Sequence, residues 1–184
     1  MLAHGSSAPA AAACIAVHFA KRVLECLFLH KYSGTIGVGL SGTIGTYYAL
    51  CSLMIALSAN DAPSAAVRPV ALALFALGEM GNLYHHWLLA GLRSGASATT
   101  SVTTTGYSPP SGGLFEYVAA PHYLFEIVAW WGIALCAQQT NALLVAASMT
   151  SYLSGRAVAQ NRWNRQKFGE SWPATRKSMI PFAF

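Results

Sequence analysis

Charge is what this sequence has least of: 9% of its 184 residues are Asp, Glu, Lys or Arg, against 54% that are hydrophobic. So little charge cannot solvate a water-soluble globule, and a bilayer is the solvent that fits. Acidic residues number only six, and the formal charge of +5 falls on no basic face interleaved with aromatics; nucleic acid is excluded as a partner. Paired cysteines are missing too. Cys14, Cys26, Cys51 and Cys136 stand singly in apolar segments, which excludes a zinc knuckle or disulfide framework and reads as four small core residues. No Lys or Arg precedes Lys21, so neither a secretory signal nor an arginine-bearing presequence is expected there, and targeting is internal or the chain is already processed. No glycine-rich strand-to-helix turn is present, so a nucleotide is not held by a Rossmann loop. No internal repeat or domain boundary interrupts residues 1–184.

The basic residues that are present set topology. Six of the eleven fall in the last 29 positions: Arg156, Arg162, Arg165, Lys167, Arg176 and Lys177. The positive-inside rule puts that end, with a basic tail over 160–184, on the cytoplasmic side or its organellar equivalent. Hydropathy and breakers predict an all-α integral membrane bundle of about five helices. They run from about Pro9 to Tyr32, Gly34 to Ala59, Val67 to Arg93, Gly113 onward with a break at Pro121, and Asn141 to Ala159 continuing to Phe168. Asn60, Asp61 and Pro63 mark one loop, and the Ser/Thr/Gly/Pro stretch over 94–112 marks an extramembrane one.

Polar residues interrupt these spans at helical spacing. His18, Arg22 and Glu25 share one stripe; Asn82, His86 and Arg93 share another with Glu79 beside it; His122, Glu126 and Trp130 recur every four residues. A charge at bilayer depth costs roughly 2.5 to 3.5 kcal/mol even on lenient scales, so stripes on three segments imply a shared polar cavity. The alternative leaves Lys21, Arg22 and Glu25 at the headgroups and His85 and His86 at a helix end, snorkelling outward. Only His122 with Glu126 offers a metal-like pair, where a di-iron or zinc site shows repeated pairs, so no metal is expected. Gly34, Gly37, Gly39, Gly42 and Gly45 open the second span, either as a docking surface for another subunit or for close packing against the first or third helix.

The string from His18 through Lys21, Arg22 and Glu25 to Cys26, then Asn82, His86 and Leu92-Arg93, Gly113 to Val118, Pro121-His122-Tyr123 with Glu126, and the closing Arg176-Lys177 and Ile180-Pro181-Phe182 together resemble the steroid 5α-reductase, polyprenol reductase and enoyl-CoA reductase family, from about His18 to Phe184. The resemblance implies a helical membrane domain that binds NADPH through Asn82, His86, Arg93, His122, Glu126, Trp130 and Arg156. It also implies hydride delivery to an activated lipid alkene, with Tyr123 as proton donor.

Three departures bear on activity. Family members carry further helices before the His18 block, and 17 residues precede it here. Phe19 stands where steroid-reducing members have a tyrosine. Asn161 and Asn164 stand where the family has a His and a Tyr, a change expected to forfeit roughly 1 kcal/mol or more of stacking on the cofactor. Two readings follow. The favoured one is a degenerate reductase serving as an accessory subunit of a larger membrane complex, such as a respiratory-type assembly of the mitochondrial inner membrane. Its partners are membrane lipids and other subunits, with no cofactor or a bound lipid. The other is a working NADPH-dependent reductase of a lipid double bond in enoyl-CoA, polyprenol or steroid enone, placed in the endoplasmic reticulum.

Overall fold

The computed structural model describes residues 8–31, 35, 37–57, 64–92 and 108–184. Arg93, the loop at Asn60, Asp61 and Pro63, Gly34 and most of the 94–112 loop lie outside these. The all-α expectation holds. The described residues form α1 (Ala8–Leu24), α2 (Val38–Ala56), α3 (Val67–Leu92), α4 (Pro121–Ala137) and α5 (Thr140–Phe168), and no sheet.

The chain does not simply continue beyond α1. Glu25–Leu29 form a π-turn, closed by the His30 amide donating to the Glu25 carbonyl at 2.7 Å. Such a wide turn re-aims side chains; here Glu25 is buried while Leu27 and Phe28 face outward. The fourth span is not one helix from Gly113. Gly112 and Gly113 both adopt positive φ, at 86° and 54°, which favours glycine, and they open a short 3-10 turn, Gly113–Glu116. Pro121 then occupies the first turn of α4, where its missing N–H costs nothing. The fifth helix runs on through the basic stretch to Phe168, as expected, so the first part of the basic tail is helical.

Contacts define the packing. Cys14 meets Cys136, His18 meets Trp130, and Asn82 meets the backbone of His122. As numbers rise along α1 and α3 they fall along α4, so α4 is antiparallel to both. The α3–α4 interface is the tightest. A Cβ on Gly132 meets Phe75 Cα at 2.7 Å and one on Gly78 meets Ala129 Cα at 2.7 Å, so these glycines let two backbones touch. The glycines of α2 do nothing of the kind. A Cβ on Gly37, Gly39, Gly42 or Gly45 meets nothing within 4 Å, which corrects the expectation that they pack against α1 or α3. Cys26 is exposed, so it is not the core residue expected; Cys14, Cys51 and Cys136 are.

The core joins Ala71, Phe75, Ala129, Trp130, Ile133, Val145 and Met149. Outside it, α2 and one face of α3 present Leu53, Leu57, Leu77, Met80, Leu83 and Trp87 outward. Among the described residues α2 alone is both long and apolar enough to cross a membrane. Of the others, α1 and α4 are only 17 residues long. The tail folds back: the amides of Ala119 and Ala120 donate to the carbonyls of Lys177 and Ser178 at 2.8 and 3.0 Å. Arg176 lies 4.4 Å over the Trp172 ring and donates to the Pro110 carbonyl at 2.9 Å.

Candidate functional site

The polar stripes of α1 and α3 meet. His18 Nδ1 lies 2.6 Å from Glu79 Oε1, and Lys21 Nζ lies 3.1 Å from Glu79 Oε2, 3.2 Å from Glu25 Oε1 and 2.5 Å from Asn82 Oδ1. Arg22 Nη1 donates to Glu25 Oε2 at 2.7 Å and lies 3.1 Å from His86 Nδ1. Asn82 Nδ2 donates to the His122 carbonyl at 2.9 Å, bringing α4 into the cluster. His18, Glu25, Glu79, Asn82, His85 and His86 are all buried. These groups face one another and not the helix ends, so the shared-interior reading holds over snorkelling. Two cations among two buried carboxylates is the arrangement that makes such burial tolerable.

His85 serves packing. Its Nδ1 lies 2.7 Å from the Gly81 carbonyl, and the Leu114 amide donates to its Nε2 at 3.2 Å, which anchors the 3-10 turn.

Beside the cluster lies a cavity of about 640 Å³ between α1, α2, α4 and α5. Of the residues expected to hold cofactor or donate a proton, Tyr123, Glu126 and Arg156 line it, together with His18 and Arg22. Asn82, His86 and His122 sit behind, in the buried cluster. The His122 ring is 5.4 Å from His86 and 4.3 Å from Tyr123, and its Nδ1 is buried without a hydrogen-bond partner. Trp130 does not line the cavity. It is fully buried beneath it, against the rings of His18, Phe19 and Tyr48. Arg93 lies outside the described residues.

Three tyrosines line the cavity, Tyr48, Tyr123 and Tyr152, and the first two have opposite partners. The Arg156 guanidinium lies within electrostatic reach of the Tyr123 hydroxyl on the same cavity wall. Tyr48 donates its hydroxyl proton to Glu126 Oε1 at 2.8 Å. Tyr123 therefore keeps a proton free to give, next to a cation that stabilises the charge left behind, while the proton of Tyr48 is committed to a carboxylate. Sequence reasoning passed over Tyr48 because it lies on a helix without charge, where a tyrosine reads as core or interface.

Glu25, His30 and His86 place one donor atom each within 4.8 Å of one another, a grouping the spacing of the sequence did not suggest. Arg22 already sits against Glu25 and His86, and Lys21 against Glu25. A metal ion there would add charge beside two cations, so the donor set does not suit one.

Asn161 and Asn164 do not line this cavity, and the Asn164 Nδ2 is buried without a hydrogen-bond partner. Asn161 accepts from Trp172 Nε1 at 3.0 Å and donates to the Arg176 carbonyl at 3.3 Å, so its amide clamps the tail to α5. Asn164 is buried and accepts from Gln160 Nε2 at 3.0 Å.

The chain is similar to several known reductases and dehydrogenases. The chain is 31% identical over 175 residues to a very-long-chain enoyl-CoA reductase of Dictyostelium discoideum, covering 92% of this chain and 56% of that protein. It is 40% identical over 111 residues to 3-oxo-5-alpha-steroid 4-dehydrogenase 1 of Macaca fascicularis, covering 60% of this chain and 39% of that protein. A steroid 5-alpha-reductase of Solanum lycopersicum is 36% identical over 115 residues, covering 62% of this chain and 42% of that protein. The chain thus spans about half the length or less of these relatives. All are reductases or dehydrogenases by name, which favours the reductase reading over the accessory-subunit one. The profile of the 3-oxo-5-alpha-steroid 4-dehydrogenase family matches residues 26–184, and the chain belongs to that family.

Proposed function

We propose that this chain carries the cofactor-binding and proton-donating part of an NADPH-dependent reductase acting on a lipid carbon–carbon double bond conjugated to a carbonyl, seated in the endoplasmic reticulum membrane. The observation that carries the proposal is the Tyr123–Arg156 pair on the wall of a cavity shared with Arg22 and Glu126. A dinucleotide presents anionic phosphates, ribose hydroxyls and a carboxamide. The cavity offers Arg22 and Arg156 for the anionic part and Glu126 for hydroxyls, and the unpartnered His122 Nδ1 stands in the buried cluster behind it. The donor set fits. When bound, NADPH supplies the hydride.

The chain's own residues do the rest. Tyr123 gives its hydroxyl proton toward the carbon α to the carbonyl, and Arg156 steadies the oxygen that has lost it. Glu126 orders the site through its hydrogen bond from Tyr48 and its proximity to Arg22. Phe19, Ile44, Ala49 and Leu153 give the cavity an apolar wall suited to a lipid tail.

The membrane setting rests on the outward apolar faces of α2 and α3. α2 spans about 28 Å at helical rise, close to the thickness of a hydrocarbon core. Exposed Arg162 and Arg165 at the end of α5 lie toward the same end of the bundle as the start of α4, so the polar cluster opens on the basic, cytoplasmic side, where a soluble dinucleotide reaches it.

Calorimetric titration of NADPH into the detergent-purified protein tests this reading. Micromolar binding, lost in Glu126→Ala and weakened in Arg156→Ala, is expected; no heat at millimolar cofactor would overturn it.

A further inference from the structure

α2 is the least attached helix of the bundle. Its residues 38–43 are all exposed, and only Cys51 and Ile55, near its end, are buried. Yet it supplies Ile44, Gly45, Tyr48, Ala49 and Ser52 to one side of the cavity. Two phenols tether it. The hydroxyl of Tyr47 lies 2.7 Å from Ser148 Oγ on α5, and that of Tyr48 donates to Glu126 Oε1 on α4 at 2.8 Å. The first tether joins two neutral groups at an exposed position. The second joins the α2 wall to a buried carboxylate.

We propose that Tyr48 is the positioning residue of this site: through its hydrogen bond it holds the Glu126 carboxylate in the orientation that receives the cofactor and locks the α2 wall over the cavity. The ring is placed for the task, edge-on to Phe19 at 6.1 Å and tilted on Trp130 at 6.1 Å. In this position the phenol hydroxyl reaches Glu126. Without the hydroxyl the carboxylate keeps only the longer-range attraction of Arg22 and is free to turn toward it, away from the cavity. A hydrogen bond to a buried charged acceptor is among the stronger ones a side chain makes. This assignment rests on the reductase reading and names a residue that reading does not require.

Tyr48→Phe keeps the ring and both aromatic contacts, so it tests the hydroxyl alone. NADPH titrations into the full chain in detergent would compare wild type, Tyr48→Phe, Glu126→Gln, the double variant and Tyr47→Phe. Affinity about tenfold weaker is expected in Tyr48→Phe. Glu126→Gln should then cost less than about twofold more in the Tyr48→Phe background, because the two residues act as a unit. Tyr47→Phe, which loses the other tether, should bind as wild type. A purely structural role for Tyr48 would give additive losses and a matching loss in Tyr47→Phe, and that result overturns the assignment. So does Tyr48→Phe affinity within about twofold of wild type, given the same cycle. Wild-type protein that binds no NADPH overturns the reductase reading itself, and this assignment with it.

Discussion

His18 on α1 and Glu79 on α3 meet at 2.6 Å inside the bundle, with Lys21 on the far oxygen of the same carboxylate at 3.1 Å. The pair fixes how far α1 is slid along α3. Removing the carboxylate leaves Lys21 to Glu25 and Asn82 alone, and breaking a buried pair by deleting one partner costs about 3–5 kcal/mol. Glu79→Ala is therefore expected to unfold well below wild type in thermal melts in detergent. Glu79→Gln, which keeps the shape and one acceptor oxygen, should lose less.

The glycines of α3 and α4 make a second, contrasting prediction. A Cβ at Gly132 lands 2.7 Å from Phe75 Cα and 2.9 Å from the Ala71 carbonyl oxygen, and backbone cannot yield as a side-chain tip can. Gly132→Ala should destabilise by about 1–3 kcal/mol through overpacking. Gly42→Ala, with open space around it, should be neutral or slightly stabilising, since alanine favours the helix. Denaturant titrations of both variants against wild type check the pair.

The antiparallel register of α1 and α4 is tested by the cysteines. Cys14 Sγ and Cys136 Sγ lie 3.9 Å apart, whereas Cys26 is exposed on a different face. Mild oxidation of the folded protein by a copper–phenanthroline reagent should yield a Cys14–Cys136 cross-linked peptide by mass spectrometry. Cross-links to Cys26 or Cys51 in its place would contradict the packing.

Much of this arrangement is legible in the sequence. The i, i+4 and i+7 recurrence of His18, Arg22 and Glu25, and of His122, Glu126 and Trp130, points to polar interiors because charge in an apolar helix must find a partner. The same periodicity cannot say how deep a residue lies. Trp130 shares a stripe with Glu126 yet ends beneath the cavity floor. Nor does it distinguish a glycine facing a neighbouring helix from one facing outward: Gly42 and Gly132 look alike in sequence and differ completely in surroundings. Tyr48 was illegible for a third reason. Its importance comes from Glu126, 78 residues away, and no local pattern carries a contact of that range. The closing amides carry contacts that the sequence does not show. Asn161 reads as a lost histidine, but the Trp172 indole and the tail backbone give it a role that only the folded tail reveals.

The most direct test of the central claim follows the hydride and the proton together. The purified protein, reconstituted in lipid, would be given NADPH deuterated at the transferred position and a trans-2-enoyl-CoA, with a polyprenal and a steroid enone in parallel, and the products weighed by mass spectrometry. The account predicts a saturated product carrying one deuterium, with turnover reduced by about 10²–10⁴-fold in Tyr123→Phe while NADPH binding persists. Cofactor binding with no labelled product from any of the three lipids, or undiminished turnover in Tyr123→Phe, would contradict it.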